Sequence, residues 1–295
     1  MRVFVTGASG FIGSALVPDL IAAGHQVVGL ARSDASAAVL TAAGAEVRRG
    51  TVEDLDVLRA GAADSDGVIH LAFDHDLSQH EAAARAELRA IETFGDALEG
   101  SDRPLVIASG GPMGTEQDTR PASSPSPRTA SARAALSFAQ RGVRSSIVRL
   151  SPTVHDRSRC DMVGQLVDIA REKGVSGYLG DGSNRWPSVH RLDAAHLFRL
   201  AVEKAPAGSV LHAVAEEGVT IRAIAEVIGR HLNVPIVPVA AEDAGAHFGF
   251  LARFLGLDMP ASNTLTRELL GWQPTGPGLI ADLDGRFGTV SCWAG

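Results

Sequence analysis

Short apolar runs alternate with amphipathic stretches through the first half of the chain. Where apolar residues recur at helical spacing, as Ile12, Leu16 and Leu20 do, the pattern predicts a helix. The shorter runs between such stretches predict six strands, at residues 2–6, 26–30, 45–49, 67–72, 104–109 and 143–149. Strands that alternate with helices are typical of a parallel sheet with crossover helices, so we expect an α/β fold with a doubly wound sheet.

The regular alternation ends near the middle of the chain. Before that point, the longest helical pattern covers 77–98, and a loop rich in Pro, Ser and Arg spans about 115–128. After Arg149, segments with Gly and Pro separate five helical patterns, at 161–173, 192–203, 220–232, 242–255 and 264–270. We therefore predict a first domain over 1–150, to which 186–214 returns, and a smaller C-terminal cap domain over 151–295 that binds the substrate.

Three glycines follow the first predicted strand, in the stretch Thr6-Gly7-Ala8-Ser9-Gly10-Phe11-Ile12-Gly13. Gly7 allows a tight turn, Gly10 has no Cβ and so lets a pyrophosphate approach the backbone, and Gly13 lets the next helix pack closely. The helix N-terminus then offers free N–H groups and a partial positive charge to phosphates. A glycine cluster is often a plain turn, but the flanking strand and helix favour a Rossmann dinucleotide site that includes Ser9, Phe11 and Ile12.

Composition narrows the classes of partner. The chain has 295 residues, 45% of them apolar, with a net charge of −7 and no block of Lys or Arg, which argues against nucleic acid or an anionic membrane as a partner. The first predicted strand begins at residue 2, so we predict no signal peptide, and because no run of about 18 apolar residues occurs we expect a cytoplasmic protein without a membrane span. The two cysteines, Cys160 and Cys292, fit neither a disulfide framework nor a zinc site, and no metal site is predicted.

Several later segments extend the pattern that the glycine stretch begins. They are Val68-Ile69-His70-Leu71-Ala72, Ile107-Ala108-Ser109, Val148-Arg149-Leu150-Ser151-Pro152-Thr153-Val154, Val189-His190-Arg191-Leu192-Asp193-Ala194-Ala195 and Leu269-Leu270-Gly271-Trp272-Gln273-Pro274. In this order, and over nearly the whole chain, they resemble the short-chain dehydrogenase/reductase superfamily in its extended, NAD-dependent epimerase/dehydratase-like form. The resemblance implies an NAD(P)-binding Rossmann domain with a substrate cap, and a homodimer through the helices at 77–98 and 130–141.

The chain departs from that family at the catalytic position. The family uses a Tyr-x-x-x-Lys pair, in which the tyrosine hydroxyl delivers a proton and the lysine lowers the pKa of the tyrosine. The single tyrosine here, Tyr178, has no lysine at that spacing. The segment 126–132 resembles the position of the pair, which would put Arg128 in place of the tyrosine and Ala132 in place of the lysine, whereas a shift of one residue would put Thr129 and Arg133 there. The chain therefore resembles an atypical subgroup.

The end of the second predicted strand bears on the choice of coenzyme. The acidic residue that would bind the ribose 2′-hydroxyl of NAD is missing, and Arg32 and Ser33 follow the strand instead. Because a guanidinium forms paired hydrogen bonds with phosphate, Arg32 favours NADP, with NAD as the alternative if Arg32 is only a surface residue. The resemblance implies further coenzyme contacts, from Val52 near the adenine, from Leu71, Ala72 and Phe73 after the fourth strand, and from Pro152, Thr153 and Val154 near the nicotinamide amide.

Candidate catalytic residues follow from the needs of carbonyl reduction. The substrate oxygen gains negative charge and requires hydrogen-bond donors and then a proton. Ser109 lies where the family's serine contacts that oxygen, and Arg128 could stabilise the charge, although a guanidinium is a poor proton donor. Histidine is the better acid near neutral pH, and His75 and His155 both follow predicted strand ends, where α/β proteins bind ligands. Each of these four residues could instead be a structural or surface group.

Candidate substrate contacts lie in two further segments. Residues 178–187 are dense in functional side chains, and Asn184, Arg185 and Trp186 could contact a substrate, whereas a Gly-Asp-Gly turn with a buried Trp186 is the alternative. Met113 could border the pocket or fill a gap in the core.

These observations support three hypotheses about function. The first is an oxidoreductase that prefers NADPH and acts on a small carbonyl or alcohol substrate. The second, motivated by the missing Tyr/Lys pair, is an NAD(P)-binding sensor or scaffold without catalysis. The third is a nucleotide-sugar epimerase or dehydratase, which ranks last because those reactions normally use the missing tyrosine.

Overall fold

A seven-stranded parallel sheet forms the centre of the protein in the computed structural model, which describes residues 1–74, 80–110, 113–117, 127–158 and 161–288. Its order is β10-β6-β5-β4-β1-β2-β3, so the strand order reverses between β1 and β4, as in doubly wound folds. All pairs in this sheet are parallel, which confirms the predicted Rossmann-type fold. The strands are β1 (Arg2–Thr6), β2 (Gln26–Ala31), β3 (Glu46–Arg49), β4 (Gly67–His70), β5 (Pro104–Ser109), β6 (Arg144–Leu150), β7 (Thr153–His155), β8 (Ser176–Leu179), β9 (Arg185–His190), β10 (Ser209–Ala213), β11 (Glu216–Thr220) and β12 (Ile236–Val239).

Helices cover both faces of the large sheet and build a second layer beyond it. They are α1 (Gly13–Ala22), α2 (Asp34–Ala42), α3 (Leu55–Ala63), α4 (His80–Leu98), α5 (Pro127–Ser137), α6 (Asp161–Lys173), α7 (Arg191–Lys204), α8 (Ile221–Leu232), α9 (Ala244–Phe248), α10 (Ala252–Leu255), α11 (Thr264–Leu270) and α12 (Leu279–Gly288). The core on one face of the sheet includes apolar residues of α1 and α7, and the core on the other includes residues of α3, α4 and α5. Each face of the sheet is therefore shielded from water, as a parallel sheet requires.

The strands mostly match the sequence-based expectation. The predictions at 2–6 and 104–109 are confirmed to the residue, and the fourth strand ends two residues earlier than predicted, at His70. The Leu71 N–H donates the last hydrogen bond of the ladder, to the Thr6 carbonyl at 3.2 Å, and the chain then passes the backbone of Gly7. We did not predict the edge strand β10, because Ser209 and His212 interrupt its apolar pattern.

A second apolar core lies among the remaining elements. The strands order as β11-β9-β7 in a three-stranded sheet and as β12-β8 in a pair, and helices α6, α8 and α12 pack with them. The single helix that we predicted over 242–255 is wrong. Gly249, at φ 55° and ψ −128°, turns the chain after α9, and α10 begins three residues later.

A buried polar contact joins β1 to β4 at the centre of the sheet. Thr6 Oγ1 and His70 Nδ1 are 2.6 Å apart and share a hydrogen bond, and the His70 ring packs edge-on against Phe94 with ring centroids 5.5 Å apart. His70 is 1% exposed, and its burial, together with the positive charge of Arg128, lowers its pKa from the usual 6.5 to about 3. His70 is therefore neutral in the folded protein at physiological pH.

No helix within the described residues is long and apolar enough to cross a membrane.

Packing between α4 and the turn after α5 depends on a glycine. A Cβ added at Gly95 would lie 2.2 Å from ring atoms of Phe138, a distance at which the ring must move. We expect Gly95→Ala to lower the free energy of unfolding by about 1–3 kcal/mol, as overpacked cores do. Urea unfolding measures the change. Gly245→Ala, in helix α9, is the matched control, because no neighbouring atom lies within 4 Å of a Cβ added at that position. Equal stabilities of the two variants would contradict the tight packing at Gly95.

The neutral state of His70 makes stability depend on pH. The unfolded chain binds a proton at His70 below about pH 6.5 and the folded protein does not until about pH 3, so acidification through this range favours unfolding. The stability that His70 adds relative to a His70→Asn variant should shrink by about 1.4 kcal/mol per pH unit as the pH falls through this range. Unfolding free energies of both proteins between about pH 6.5 and 4.5 provide the test. Parallel pH profiles would show that His70 does not titrate as proposed.

Candidate functional site

The turn between β1 and α1 is so tightly packed that only glycine fits at its ends. Gly7 has φ 67°, and a Cβ there would lie 2.7 Å from the Ala72 nitrogen and 2.8 Å from the Leu71 carbonyl carbon. A Cβ at Gly13 would lie 2.2 Å from the Gly7 carbonyl oxygen. Strand β1, helix α1 and the chain after β4 therefore meet in backbone contact, as predicted for Gly7 and Gly13.

The N-terminus of α1 has the features of an anion site. No side chain caps it, its first turn has no acidic residue, and Gly10 at its mouth is exposed. The guanidinium of Arg191 lies 5.1 Å above the Phe11 ring and 3.1 Å from Asp156 Oδ2, so it adds a cation beside the turn. Sequence reasoning did not identify Arg191. Main-chain N–H groups, the helix dipole and the absence of a Cβ at Gly10 together fit a coenzyme diphosphate.

The predicted 2′-phosphate site lies where β2 and β3 end side by side. Arg32 is exposed, and Ser33 caps α2 by accepting a hydrogen bond from the Ser36 N–H at 3.2 Å. Arg49 was not predicted here, but its guanidinium donates to the Ser33 carbonyl and pairs with Asp34. Two arginines therefore lie at this edge.

The predicted adenine contact lies in the following loop. Val52 is half-buried in a short turn that Asp54 closes by accepting from the Thr51 N–H at 2.7 Å.

The ends of β4 and β5 bring together an arginine, a glutamate and a phenylalanine. Arg128, in the first turn of α5, donates to Glu87 of α4 at 2.9 Å through Nη2 and at 3.4 Å through Nε. Its guanidinium lies 4.0 Å from the centre of the Phe73 ring, and Nη1 lies above Gly110, 3.2 Å from where a Cβ would stand. The Glu87 side chain is 3% exposed and that of Arg128 is 16% exposed. Arg133, by contrast, is exposed.

The remaining coenzyme and catalytic candidates border the same edge. Ser109 ends β5, is 4% exposed, and its hydroxyl makes a long contact of 3.3 Å with the Gly110 carbonyl. Thr153 is buried and donates to the Pro187 carbonyl, and Pro152 and Val154 beside it are half-buried. Leu71 and Ala72 pass directly beside the glycine turn, and Phe73 follows them and packs against Arg128.

His155 lies in a different environment from the one we expected. It is 1% exposed within β7 and donates from Nδ1 to Asp282 Oδ2 of α12 at 2.9 Å, with the His190 ring centroid 5.7 Å away. Burial lowers the pKa of His155, which Asp282 partly counteracts. These contacts give His155 the role of joining α12 to the small sheet. Sequence reasoning could not identify Asp282, since it lies 127 positions further along the chain.

The predicted substrate contacts at 184–186 are engaged by the protein itself, Asn184 and Arg185 by residues 255–258 and Trp186 in the second core. Trp186 is fully buried there, which removes it as a wall of an open pocket. Asn184 donates to the Leu255 carbonyl at 2.6 Å, and Arg185 forms an ion pair with Asp258 at 2.8 Å. The alternative for this segment, a Gly-Asp-Gly turn with a buried Trp186, therefore describes its side chains better. These contacts arise because residues 255–258 return beside β9, which the local sequence does not indicate.

Two further candidates lie in or beside the loops that the structure describes only in part. Met113 is half-buried, and the next residue, Gly114, accepts at its carbonyl from the Ser262 N–H at 2.7 Å. His75 and most of the predicted loop over 115–128 lie outside the described residues. Within the described part of the chain, no group of three or more His, Cys, Asp or Glu side chains is placed to hold a metal ion.

Comparison with known proteins gives relatives over the whole chain. The chain is 51% identical over 290 residues to protein C2A9.02 of Schizosaccharomyces pombe, covering 96% of this chain and 98% of that protein, and 43% identical over 295 residues to YLL056C of Saccharomyces cerevisiae, covering 97% and 99%. It is 26% identical over 268 residues to 4-hydroxy-2-methyl-3-oxo-4-farnesyl-3,4-dihydroquinoline-1-oxide ketoreductase of Stigmatella aurantiaca, covering 84% of this chain and 80% of that enzyme.

The fold has close counterparts among solved structures. The dTDP-glucose 4,6-dehydratase DesIV of Streptomyces venezuelae, crystallised with NAD, superposes with a TM-score of 0.74 at 19% identity, covering 97% of this chain and 96% of that one. The model of the NAD dependent epimerase/dehydratase family matches residues 3–214, which include the glycine turn, the Glu87–Arg128 pair and six of the seven strands of the large sheet in full. The chain therefore belongs to the NAD dependent epimerase/dehydratase family.

Proposed function

We propose that this protein is an NAD(P)-dependent oxidoreductase that prefers NADPH and acts on a small carbonyl or alcohol substrate. The observation that carries the proposal is the glycine turn, where a Cβ at Gly7 or Gly13 would collide with backbone and where no side chain caps α1. Membership of the family and the ketoreductase relative support the reaction class, and the NAD-bound DesIV structure supports a nicotinamide coenzyme.

Each element of the site has a task in this proposal. The main-chain amides at the start of α1 bind the diphosphate, with Arg191 beside them, and Arg32 binds the 2′-phosphate of NADP. When bound, the coenzyme supplies the hydride. Ser109 orients the substrate oxygen by its hydroxyl, and Arg128 stabilises the negative charge that develops on that oxygen. Because a guanidinium does not release its proton near neutral pH, the proton comes from water.

Coenzyme binding and turnover are measured separately to test this proposal. We expect NADPH to bind to the purified protein, as followed by its fluorescence, and to be consumed with at least one member of a panel of small aldehydes and ketones that includes both saturated and α,β-unsaturated compounds. Absence of binding by NADPH and NADH alike would remove the foundation of the proposal. Tight binding without turnover across the panel would instead favour a sensor or scaffold that binds the coenzyme without reacting.

The preference for NADP depends on Arg32. Arg32→Ala removes a guanidinium that pairs with the 2′-phosphate, so the affinity for NADPH should fall about 10- to 100-fold, the usual value of a hydrogen bond between charged groups. Affinity for NADH, which has no 2′-phosphate, should change by less than about twofold. The matched control is Arg59→Ala, which removes an exposed arginine of α3. Equal losses of affinity for both coenzymes would exclude Arg32 from this role.

A further inference from the structure

Glu87 is a charged residue on the buried face of a helix. It follows Ala84 and precedes Ile91 and Phe94 at helical spacing, and all three of these neighbours are buried in apolar surroundings. A carboxylate in such a position needs a partner, and the partner is Arg128 of the neighbouring helix α5. Two hydrogen bonds from Nε and Nη2 to the two oxygens of Glu87 fix the plane of the guanidinium.

The other contacts of Arg128 involve Nη2 and one face of the guanidinium, and they leave Nη1 beside Gly110, where β5 ends. Nη2 also lies 3.4 Å from the Ala108 carbonyl, and the Phe73 ring covers one face of the guanidinium. Nη1 carries two N–H groups and has no hydrogen-bond partner among the described residues. It lies above Gly110, next to Ser109, where any Cβ on Gly110 would come within 3.2 Å of it. A Cβ at position 110 would crowd Nη1, so among the described residues glycine there keeps the side of Gly110 clear for a ligand oxygen.

We propose that Arg128 is an oxyanion-binding residue and that Glu87 is the positioning residue that orients it, so that the site takes small molecules with a negatively charged, conjugated oxygen. A guanidinium strengthens its hydrogen bonds as the bound oxygen becomes anionic, and it keeps its own protons. Because the Glu87 side chain beside Arg128 is buried, water screens the hydrogen bond between Arg128 and the bound oxygen less than it would at the surface. The site therefore stabilises an enolate or a phenolate without neutralising it.

This chemistry predicts a substrate class. The prediction rests on the proposed function, because it requires a reduced nicotinamide coenzyme. In an α,β-unsaturated ketone or aldehyde, hydride from the reduced nicotinamide coenzyme adds to the β-carbon, and the electron pair of the C=C bond moves so that the carbonyl oxygen becomes an enolate. Arg128 Nη1 binds that oxygen. Water then protonates the α-carbon and leaves hydroxide, the coenzyme is oxidised by two electrons, and the product is the saturated carbonyl compound. In this route the oxygen that Arg128 binds is never protonated.

The oxyanion site is tested in the coenzyme-free protein with nitrophenol, whose anion and neutral form differ in absorbance. The protein should bind the anion preferentially and lower the apparent pKa of the bound probe by about 1 unit or more, the equivalent of one charge-assisted hydrogen bond. The double variant Glu87→Gln/Arg128→Met removes both charges without leaving either buried alone, and it should abolish the shift. Glu81→Gln/Arg85→Met is the matched control, because it removes an exposed ion pair of the same helix, and it should keep the shift.

Glu87→Asp separates positioning from charge. Aspartate keeps the negative charge but is shorter by one methylene, so the guanidinium moves away from its place above Gly110. The affinity for the nitrophenolate anion should fall about 10-fold while that for the neutral phenol stays unchanged, since only the charge-assisted bond depends on geometry. A purely structural role would lower the melting temperature without changing this preference. Absence of nitrophenol binding, an unshifted bound probe, or a shift that survives in the double variant would overturn the proposal.

The substrate class is tested by the position of an isotope. Cyclohexenone is incubated with reduced coenzyme carrying deuterium on the transferred position, and cyclohexanone serves as the matched saturated ketone. We expect cyclohexanone with deuterium on its β-carbon, and no reduction of added cyclohexanone. Deuterium on the carbon that bears a new hydroxyl group, or no reduction of cyclohexenone by protein that binds the coenzyme, would overturn the assigned class. Failure to bind the coenzyme would reject the proposed function, while the nitrophenol result would still decide the oxyanion site.

Discussion

The structure depends on the backbone contact between the β1–α1 turn and the end of β4. Gly7 has no room for a Cβ against Leu71 and Ala72, and Gly13 has none against the Gly7 carbonyl. This close approach sets the distance from α1 to the sheet and leaves the first N–H groups of α1 without a side-chain cap. The same constraint ends β4 at His70, so that residues 71–73 leave the sheet and carry Phe73 towards Arg128. A packing requirement in the sheet thus also arranges the candidate site.

Charge and burial at the centre of the sheet are coupled. His70 is neutral because it is buried and because Arg128 adds a positive charge nearby, whereas Arg128 is balanced by Glu87. Breaking a buried ion pair by removing one partner leaves a charge without compensation, which costs about 3–5 kcal/mol, but an apolar replacement of the whole pair is often tolerated. Stability alone therefore gives little reason for an ion pair at this position. A functional constraint on the guanidinium would account for it.

Periodicity in the sequence was sufficient for the large sheet and most helices, because alternating strands and helices leave few arrangements of a parallel sheet. Periodicity failed where contacts between distant segments determine the local structure. The pattern over 242–255 has helical spacing, but Gly249 turns the chain, and β10 contains His212, which is buried and shares a hydrogen bond with the Ser262 carbonyl 50 positions further along the chain. Local sequence also could not show that Asp282 meets His155, or that residues 255–258 engage Asn184 and Arg185.

The sequence of α4 contains a signal for the buried ion pair. The helix over 80–98 places small and apolar side chains at 84, 91 and 94, and Glu87 interrupts that stripe with a carboxylate. A charged residue on a face that must be buried implies a buried partner of opposite charge, and the next helix, α5, has Arg128 in its first turn. The missing Tyr-x-x-x-Lys pair drew attention to Arg128 alone, which by itself suggests a surface arginine. Glu87 of α4 makes Arg128 of α5 an oriented, partly buried cation, and the chemical role proposed for Arg128 depends on this orientation.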